Sequence, residues 1–367
     1  MPSIDLGYEA YIVRAMSADA SDLSWLASVL ECGFDPVEGG TPHSEVTLTI
    51  DAVAHDALLA GGRSETAAEV ETFAQDTGGY LCQPWSAGAD ALVIRDPQLP
   101  GFYRLSPARR AVEILARTHT LACRHALMRV VRELAMDRIV ATGGVLVHGA
   151  AFHTDGGAVV VSGLKRRGKT SLLLALLQHT GVAYISNDRC VLRVDGAAAS
   201  VRGLPTLVSI TRSGLDAAPR FRQRLFALRP DLAARDAASV GFGPDLFARV
   251  LDSPRAAAGP LAACLFPRVT ANPERLVLHR LSIAEALAQL REGLFRATRA
   301  TLLADVFSSA TARGRSPWEL GEATAHWLAA NCPCFLVELG GGAPPTAEEC
   351  RALLAHVAAG GSAAGRP

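Results

Sequence analysis

Eight residues, Gly163-Leu-Lys-Arg-Arg-Gly168-Lys169-Thr170, constrain most tightly what this 367-residue chain can fold into. They stand between an apolar run, Ala158–Ser162, and a helical pattern, Thr170–Gln178. In full they fit GxxxxGK[ST]. The glycines let the backbone turn so that successive N–H groups point inward as a nest for anions. The helix that follows adds the positive end of its dipole. Gly163, Leu164, Lys165, Arg166, Arg167, Gly168, Lys169, Thr170 and Ser171 are therefore the candidate nucleotide-binding residues. In that pattern Lys169 reaches the β- and γ-phosphates, and the Thr170 hydroxyl ligates Mg²⁺.

Lysine usage marks the same place. The chain has 36 basic residues, of which only Lys165 and Lys169 are lysines. Arginine replaces lysine almost everywhere, but it does not substitute for a compact ammonium inside a tight phosphate cradle. The 36 acidic residues balance the basic ones, so no general attraction to nucleic acid or an anionic membrane is expected. With 49% hydrophobic residues the chain has ample material for a buried core. No apolar run reaches about 18 residues, and Met1–Leu6 lacks a signal-peptide layout, so a cytoplasmic protein is expected. The eight cysteines show no paired zinc spacing and read as reduced core thiols.

The strand before the loop has a partner. Val145–Phe152 is a second apolar run, and Thr154-Asp155-Gly156-Gly157 separates the two as a hairpin turn. With Asp155 and Gly156 as loop residues, His148 falls opposite Gly163; a slip of one residue puts it opposite Lys165. In either register His148 lies beside the loop and is a candidate proton carrier. Downstream, the strand Val182–Ile185 ends in Ser186-Asn187-Asp188-Arg189. Asp188 is placed where phosphoryl transfer needs a metal-holding carboxylate. Together, His148, Lys169 and Asp188 are the candidate catalytic residues, and Thr170 and Asp188 the candidate metal ligands.

Elsewhere the pattern predicts a small α+β domain over 1–105, with a helix at Asp22–Leu30 and strands at Glu45–Ile50, Gly79–Gln83 and Ala91–Ile94. A connecting helix is expected over 106–140, started by Ser106-Pro107 and ended by Thr142-Gly143-Gly144. The catalytic domain then spans 141–359, with helices at Ile283–Leu290, Ala323–Ala330 and Ala347–Ala358, before a disordered tail at 360–367. Arg220, Arg222, Arg224 and Arg229 read as a solvated helix face.

The order Leu146-Val-His148-Gly149-Ala, VVVSGLKRRGKTSL, YISND and Gly203-Leu-Pro205 resembles the catalytic domain of HPr kinase/phosphorylase. It is still more similar to the relatives of that enzyme found beside peptide natural-product pathways. The resemblance covers about residues 140–300 and leaves the N-terminal residues unmatched. It implies an α/β fold of the HPr kinase type, a P-loop domain whose mixed sheet leads into the loop through a hairpin and is flanked by helices. It also implies ATP-dependent phosphorylation of a hydroxyl on a peptide, a protein serine or threonine, or a small specialised metabolite, with ATP and Mg²⁺ as cofactors. Relatives often form rings, so a homo-oligomer is implied, whereas nucleic acid and membrane are not.

The chain departs from that family where two adjacent acids are expected and Asn187-Asp188 stands instead. One carboxylate cannot easily hold Mg²⁺ and also deprotonate a hydroxyl. Either His148 shares the work, or the chain is a non-catalytic nucleotide-binding switch. A transport or motor ATPase is disfavoured by the lack of an LSGGQ helix, and a dehydrogenase by the lack of GxGxxG after a strand.

Overall fold

The computed structural model describes residues 1–31, 33–62, 83–87, 92–96, 101–164, 166–234, 238–271, 276–298, 317–340 and 344–362. Among these, Met1–Thr142 form one compact unit, and Gly143–Thr298 with the elements from Pro317 onward form a second. Both are mixed α/β.

The first unit comprises β1 (Ser3–Tyr8), β2 (Tyr11–Ser17), α1 (Ala20–Leu30), β3 (Asp35–Pro36), β4 (Ser44–Ile50), α2 (Ala52–Ala60), β5 (Gln83–Ala87), β6 (Leu92–Asp96), β7 (Gly101–Ser106), β8 (Ala111–Ala116) and α3 (Leu121–Ala141). Its eight strands run in the order β3-β1-β2-β4-β8-β7-β6-β5, with β2, β4 and β8 mutually parallel. Alternation along β2 buries Tyr11, Val13 and Ala15, which matches a sheet covered on that face by α1 and α3. Of the expected strand at Gly79–Gln83, only Gln83 falls among the described residues, where it begins β5.

The helix expected over 106–140 is shorter and follows a strand. Pro107–Arg109 makes a single 3₁₀ turn, Arg110 reverses the chain at φ 48°, and β8 enters the sheet between β7 and β4. The apolar spacing of Val112 and Leu115 suits a helix, but Val112-Glu113-Ile114 also alternates as a strand. Glu113 pairs with Arg104 on β7, and the buried slot between two strands decides the outcome. The helix itself begins only at Leu121, after Thr120.

A buried carboxylate ties α1 to α3. Asp22 has no exposed surface; it accepts from Arg124 Nε at 2.7 Å and Ser17 Oγ at 2.8 Å, and lies 2.8 Å from His119 Nε2. Burial pushes this carboxyl up, but the hydrogen bonds from Arg124, His119 and Ser17 together outweigh it and hold it below its ordinary value. Asp19, Asp22 and His119 also form a cluster of metal-ligand types, yet Asp22 there is already neutralised by Arg124.

The second unit comprises β9 (Val145–Thr154), β10 (Gly157–Ser162), α4 (Lys169–Thr180), β11 (Ala183–Ser186), β12 (Arg189–Asp195), β13 (Ala198–Gly203), β14 (Val208–Thr211), α5 (Arg212–Asp216), α6 (Pro219–Leu228), α7 (Pro230–Ala233), β15 (Ser239–Phe242), α8 (Pro244–Leu251), β16 (Ala258–Val269), β17 (Leu276–Arg280), α9 (Ile283–Thr298), α10 (Pro317–Asn331), β18 (Cys334–Leu339) and α11 (Ala347–Ser362). The large mixed sheet runs β10-β9-β12-β13-β16-β18-β17, with β11 on β9 and a second pairing of β16 to β10. Val145, Val147, Val160, Leu192 and Phe266 form its core with Leu290 and Leu294 of α9 and Leu328 of α10. Of the residues expected as a tail, 360–362 continue α11, and 363–367 lie outside the described residues. No helix among the described residues is long and apolar enough to cross a membrane.

The Asp22 contacts carry a pH signature. A lowered native value means the stabilisation is full above the ordinary aspartate value of ~3.9 and is lost as pH falls through the native one. Asp22→Ala leaves Arg124 without its buried partner and should cost about 3 kcal/mol at pH 7, measured by urea unfolding. The difference from wild type should shrink toward pH 3; an undiminished difference there would contradict the assignment.

Candidate functional site

The hairpin fixes the site. β10 pairs with β9 antiparallel from Gly157↔Thr154 to Ser162↔Gly149, which is the register that places Gly163 opposite His148. Gly157 rather than Gly156 takes the backbone that favours glycine, at φ 119°, and a Cβ there would lie 2.8 Å from the Pro260 carbonyl on β16. Thr154 closes the turn, its Oγ1 donating to the Gly157 carbonyl at 2.9 Å.

Beyond Ser162 the chain runs through the glycine-framed loop into α4. Gly163 and Gly168 have φ of 139° and 95°, and Arg166 has φ 65°. Gly168 is the residue before α4, and no side chain caps that end. The opening N–H groups of a helix have no intrahelical partners, so they remain available to an anion. Lys169 is buried, and its Nζ donates to the carbonyls of Gly163 at 2.8 Å and Leu164 at 2.9 Å. A buried ammonium needs such acceptors, and these fold the loop back over its own lysine. Thr170 is half-buried on the first turn, Ser171 is exposed, Arg166 is exposed and Arg167 half-buried. Lys165 lies outside the described residues.

On the other edge of β9, β12 places Arg189 opposite His148. The turn before β12 is pinned beside it, because Gly149 N–H donates to the Asp188 carbonyl at 2.8 Å and Ser186 Oγ to the Arg189 carbonyl at 2.6 Å. As a result the Asp188 carboxylate lies 3.4 Å from His148 Nδ1 and 3.7 Å from Arg189 Nε. The first is at the long limit of a hydrogen bond and the second beyond it, so the carboxylate is attracted but weakly held. His148 and Asp188 are each about one-third exposed, at 34% and 39%.

Asn187 turns elsewhere. It is buried, its Oδ1 accepts from Tyr184 OH at 2.8 Å, and its Nδ2 donates to Thr206 Oγ1 at 3.4 Å. The position after Asp188 and Arg189 holds Cys190, a thiol pushed far up by burial and next by the nearby Asp188 charge. It donates to the Gly149 carbonyl at 3.3 Å and is chemically inert.

Of the sequence candidates, the structure therefore groups Lys169 with Gly163 and Leu164, and His148 with Asp188. Thr170 and Asp188 sit on separate elements and make no hydrogen bond to each other. The arginines on and just after α6 pair at the surface: Arg222 with Asp216, Arg224 with Asp252 and Arg229 with Asp231. A separate cleft of about 950 Å³ opens at the turn end of the hairpin, lined by His153, Asp155, Thr180, Trp327, Asn331 and Cys332. It lies at the far end of β9 and β10 from the loop, so the candidate site remains the loop end, where the glycine-framed loop with its buried Lys169 leaves β10 beside the His148 position of β9, and His148 lies near Asp188.

Sequence reasoning missed one residue that holds the loop. Gly293 lies inside α9, and a Cβ there would come within 2.1 Å of Ser162 Oγ and 3.8 Å of the Gly163 amide. The signal was a glycine within a helical pattern, which carries a packing reason more often than a conformational one.

The chain matches no protein-family model and no curated protein in sequence.

Gly293→Ala separates packing from propensity. Alanine favours a helix interior by about 1 kcal/mol, whereas forcing a methyl against Ser162 costs about 1–3 kcal/mol. Net destabilisation is expected in denaturant unfolding; a stabilised variant would show that α9 does not press on the loop.

Proposed function

We propose that this chain is an ATP-dependent kinase of the HPr kinase type, transferring the γ-phosphoryl group to a hydroxyl of a peptide, a protein serine or threonine, or a small specialised metabolite. One observation carries the reading. A single hairpin sets the glycine-framed loop, with Lys169 behind it, directly beside His148, while the neighbouring turn brings Asp188 to 3.4 Å from the same imidazole. Phosphoryl transfer to a hydroxyl calls on both a phosphate cradle and a group to handle the proton.

The residues fit Mg²⁺ and ATP by the chemistry of their donors. The uncapped start of α4 suits phosphate oxygens, and the Thr170 hydroxyl and the loosely held Asp188 carboxylate would hold Mg²⁺. When bound, Mg²⁺ and ATP supply the transferable phosphoryl group and neutralise its developing charge. Lys169 exchanges its loop carbonyls for phosphate oxygens. Asp188 stands 3.4 Å from His148 Nδ1, and this imidazole is the group that takes up the acceptor hydroxyl's proton. Phosphoryl transfer has a loose transition state and depends mostly on positioning, so one acid with an oriented histidine is sufficient. We place this activity in the cytoplasm, in a homo-oligomer as in the resembling family.

A second reading, a non-catalytic nucleotide-binding switch, is favoured by Asn187, which fills the place of the family's second acid and is committed to Tyr184 and Thr206. Labelled ATP with a pathway extract, followed by mass spectrometry for added phosphate, separates the two. A kinase should label an acceptor and lose that labelling about 10²–10⁴-fold in His148→Asn or Asp188→Ala. Binding of Mg–ATP without labelling of any acceptor establishes the switch. Retention of both binding and transfer by Lys169→Ala would overturn the loop assignment itself.

A further inference from the structure

Three parallel strands run toward the loop, the outer two ending level with each other about three residues beyond the end of the first. β10 pairs with β16, β16 pairs with β18, and they terminate at Ser162, Val269 and Leu339. Ligands of parallel sheets bind along this carboxyl edge. Gly168 is pressed against the two outer ends, since a Cβ on it would lie 2.7 Å from Leu339 Cδ1 and 3.3 Å from Val269 Cγ2. Leu339 is 7% exposed, but Val269 is 56% exposed, although Ala263–Phe266 of the same strand are buried. The strand end is not loose, because Val269 remains in register with Leu339 and Thr270 N–H donates to the Leu339 carbonyl at 2.9 Å.

Isolated exposed apolar side chains are ordinary, so exposure alone carries nothing. Direction does. β10 has β9 on one side and β16 on the other. His148 and Asp188, which handle the phosphate acceptor in the reading above, stand on the β9 side. A nucleotide whose phosphates lie along the loop, with its terminal phosphate toward β9, must send its nucleoside the other way, over the ends of β16 and β18. Among the described residues there, a held, half-exposed valine stands beside Leu339 and against the Gly168 backbone.

We propose that Val269, backed by Leu339, is the platform on which the donor's base lies, and that it takes purine nucleoside triphosphates through the face of the ring, with little selectivity between adenine and guanine. An apolar side chain against a ring face offers no hydrogen bond that reads the ring edge, and a purine covers more of it than a pyrimidine does. This rests on the nucleotide-binding reading of the loop.

The test is calorimetric binding of ATP, GTP, CTP and inorganic triphosphate, each with Mg²⁺, to the full chain, to Val269→Ala, to Val269→Thr and to Lys169→Ala. Val269 is more than half exposed, so both substitutions there leave the fold intact, which the melting temperature verifies. Wild type should bind ATP and GTP within about threefold of each other, and CTP more weakly. Val269→Ala and Val269→Thr should each weaken ATP and GTP about tenfold and leave inorganic triphosphate within about twofold. Unchanged ATP and GTP affinity in both variants overturns the platform, and so does an equal loss for inorganic triphosphate. If wild type binds no triphosphate of any kind, or Lys169→Ala binds them all undiminished, the loop reading falls and the platform falls with it.

Discussion

The pairing of β9 with β10 is the constraint on which the second unit depends. β10 is fully buried and β9 is buried along most of its apolar stretch, so their side chains alone would tolerate sliding. The turn removes that freedom. Thr154 hydrogen-bonds across it, and Gly157 takes a backbone no other residue adopts easily, with the Pro260 carbonyl too close for a Cβ. The register so fixed has consequences at the far end of the ladder. Ser162 meets Gly149, its hydroxyl donates to the His148 carbonyl at 3.3 Å, and the chain leaves β10 next to the imidazole. A slip of one residue would turn every β10 side chain to the opposite face and move the loop by one step relative to His148.

Much of this was legible before any coordinates. The Asp155-Gly156 turn, the two apolar runs and the glycine–lysine–threonine loop are all local patterns, and local patterns survive folding. The hairpin, the start of α4 and the neighbourhood of His148 could therefore be read from sequence. What escaped notice is non-local. Residues 111–116 satisfy helical and strand spacing equally, and only the slot between β4 and β7, formed by residues far away in the chain, selects the strand. Gly293 and Val269 meet the loop from some 130 and 100 residues downstream. A glycine in a helix and a valine ending a strand are unremarkable letters until the sheet brings β16 and α9 to the loop. Asn187 was noticed as a departure, but its partners Tyr184 and Thr206 were not, because a turn residue's burial cannot be read from its neighbours in sequence.

The commitment of Asn187 bears on whether that position can take an acid. An amide there accepts from Tyr184 with its oxygen and donates to Thr206 with its nitrogen. A carboxylate would keep the first contact but present an acceptor to Thr206, whose hydroxyl would have to reverse, and it would bring a second negative charge next to Asp188 into a buried site. Burying an extra charge costs far more than exchanging one neutral hydrogen bond. In this chain the neighbourhood of position 187 is therefore adapted to a neutral amide. The Asp188 carboxylate keeps its exposure, with His148 at 3.4 Å and Arg189 at 3.7 Å.

The same reasoning explains why one lysine persists in a chain that otherwise uses arginine. Lys169 is buried, and its three donors need acceptors within a pocket made of its own loop. The Gly163 and Leu164 carbonyls supply two of these at 2.8 and 2.9 Å. A guanidinium is planar and wider, with five donors in a rigid fork, and two converging carbonyls at the start of a tight turn cannot satisfy it. The ammonium also carries little cost in leaving these carbonyls, since each is a neutral acceptor and any phosphate oxygen that replaces one is charged and binds it more strongly. The loop is thus closed on its lysine, and in the proposed reading an incoming phosphate would open it, whereas an arginine there would be held too loosely to keep the loop closed.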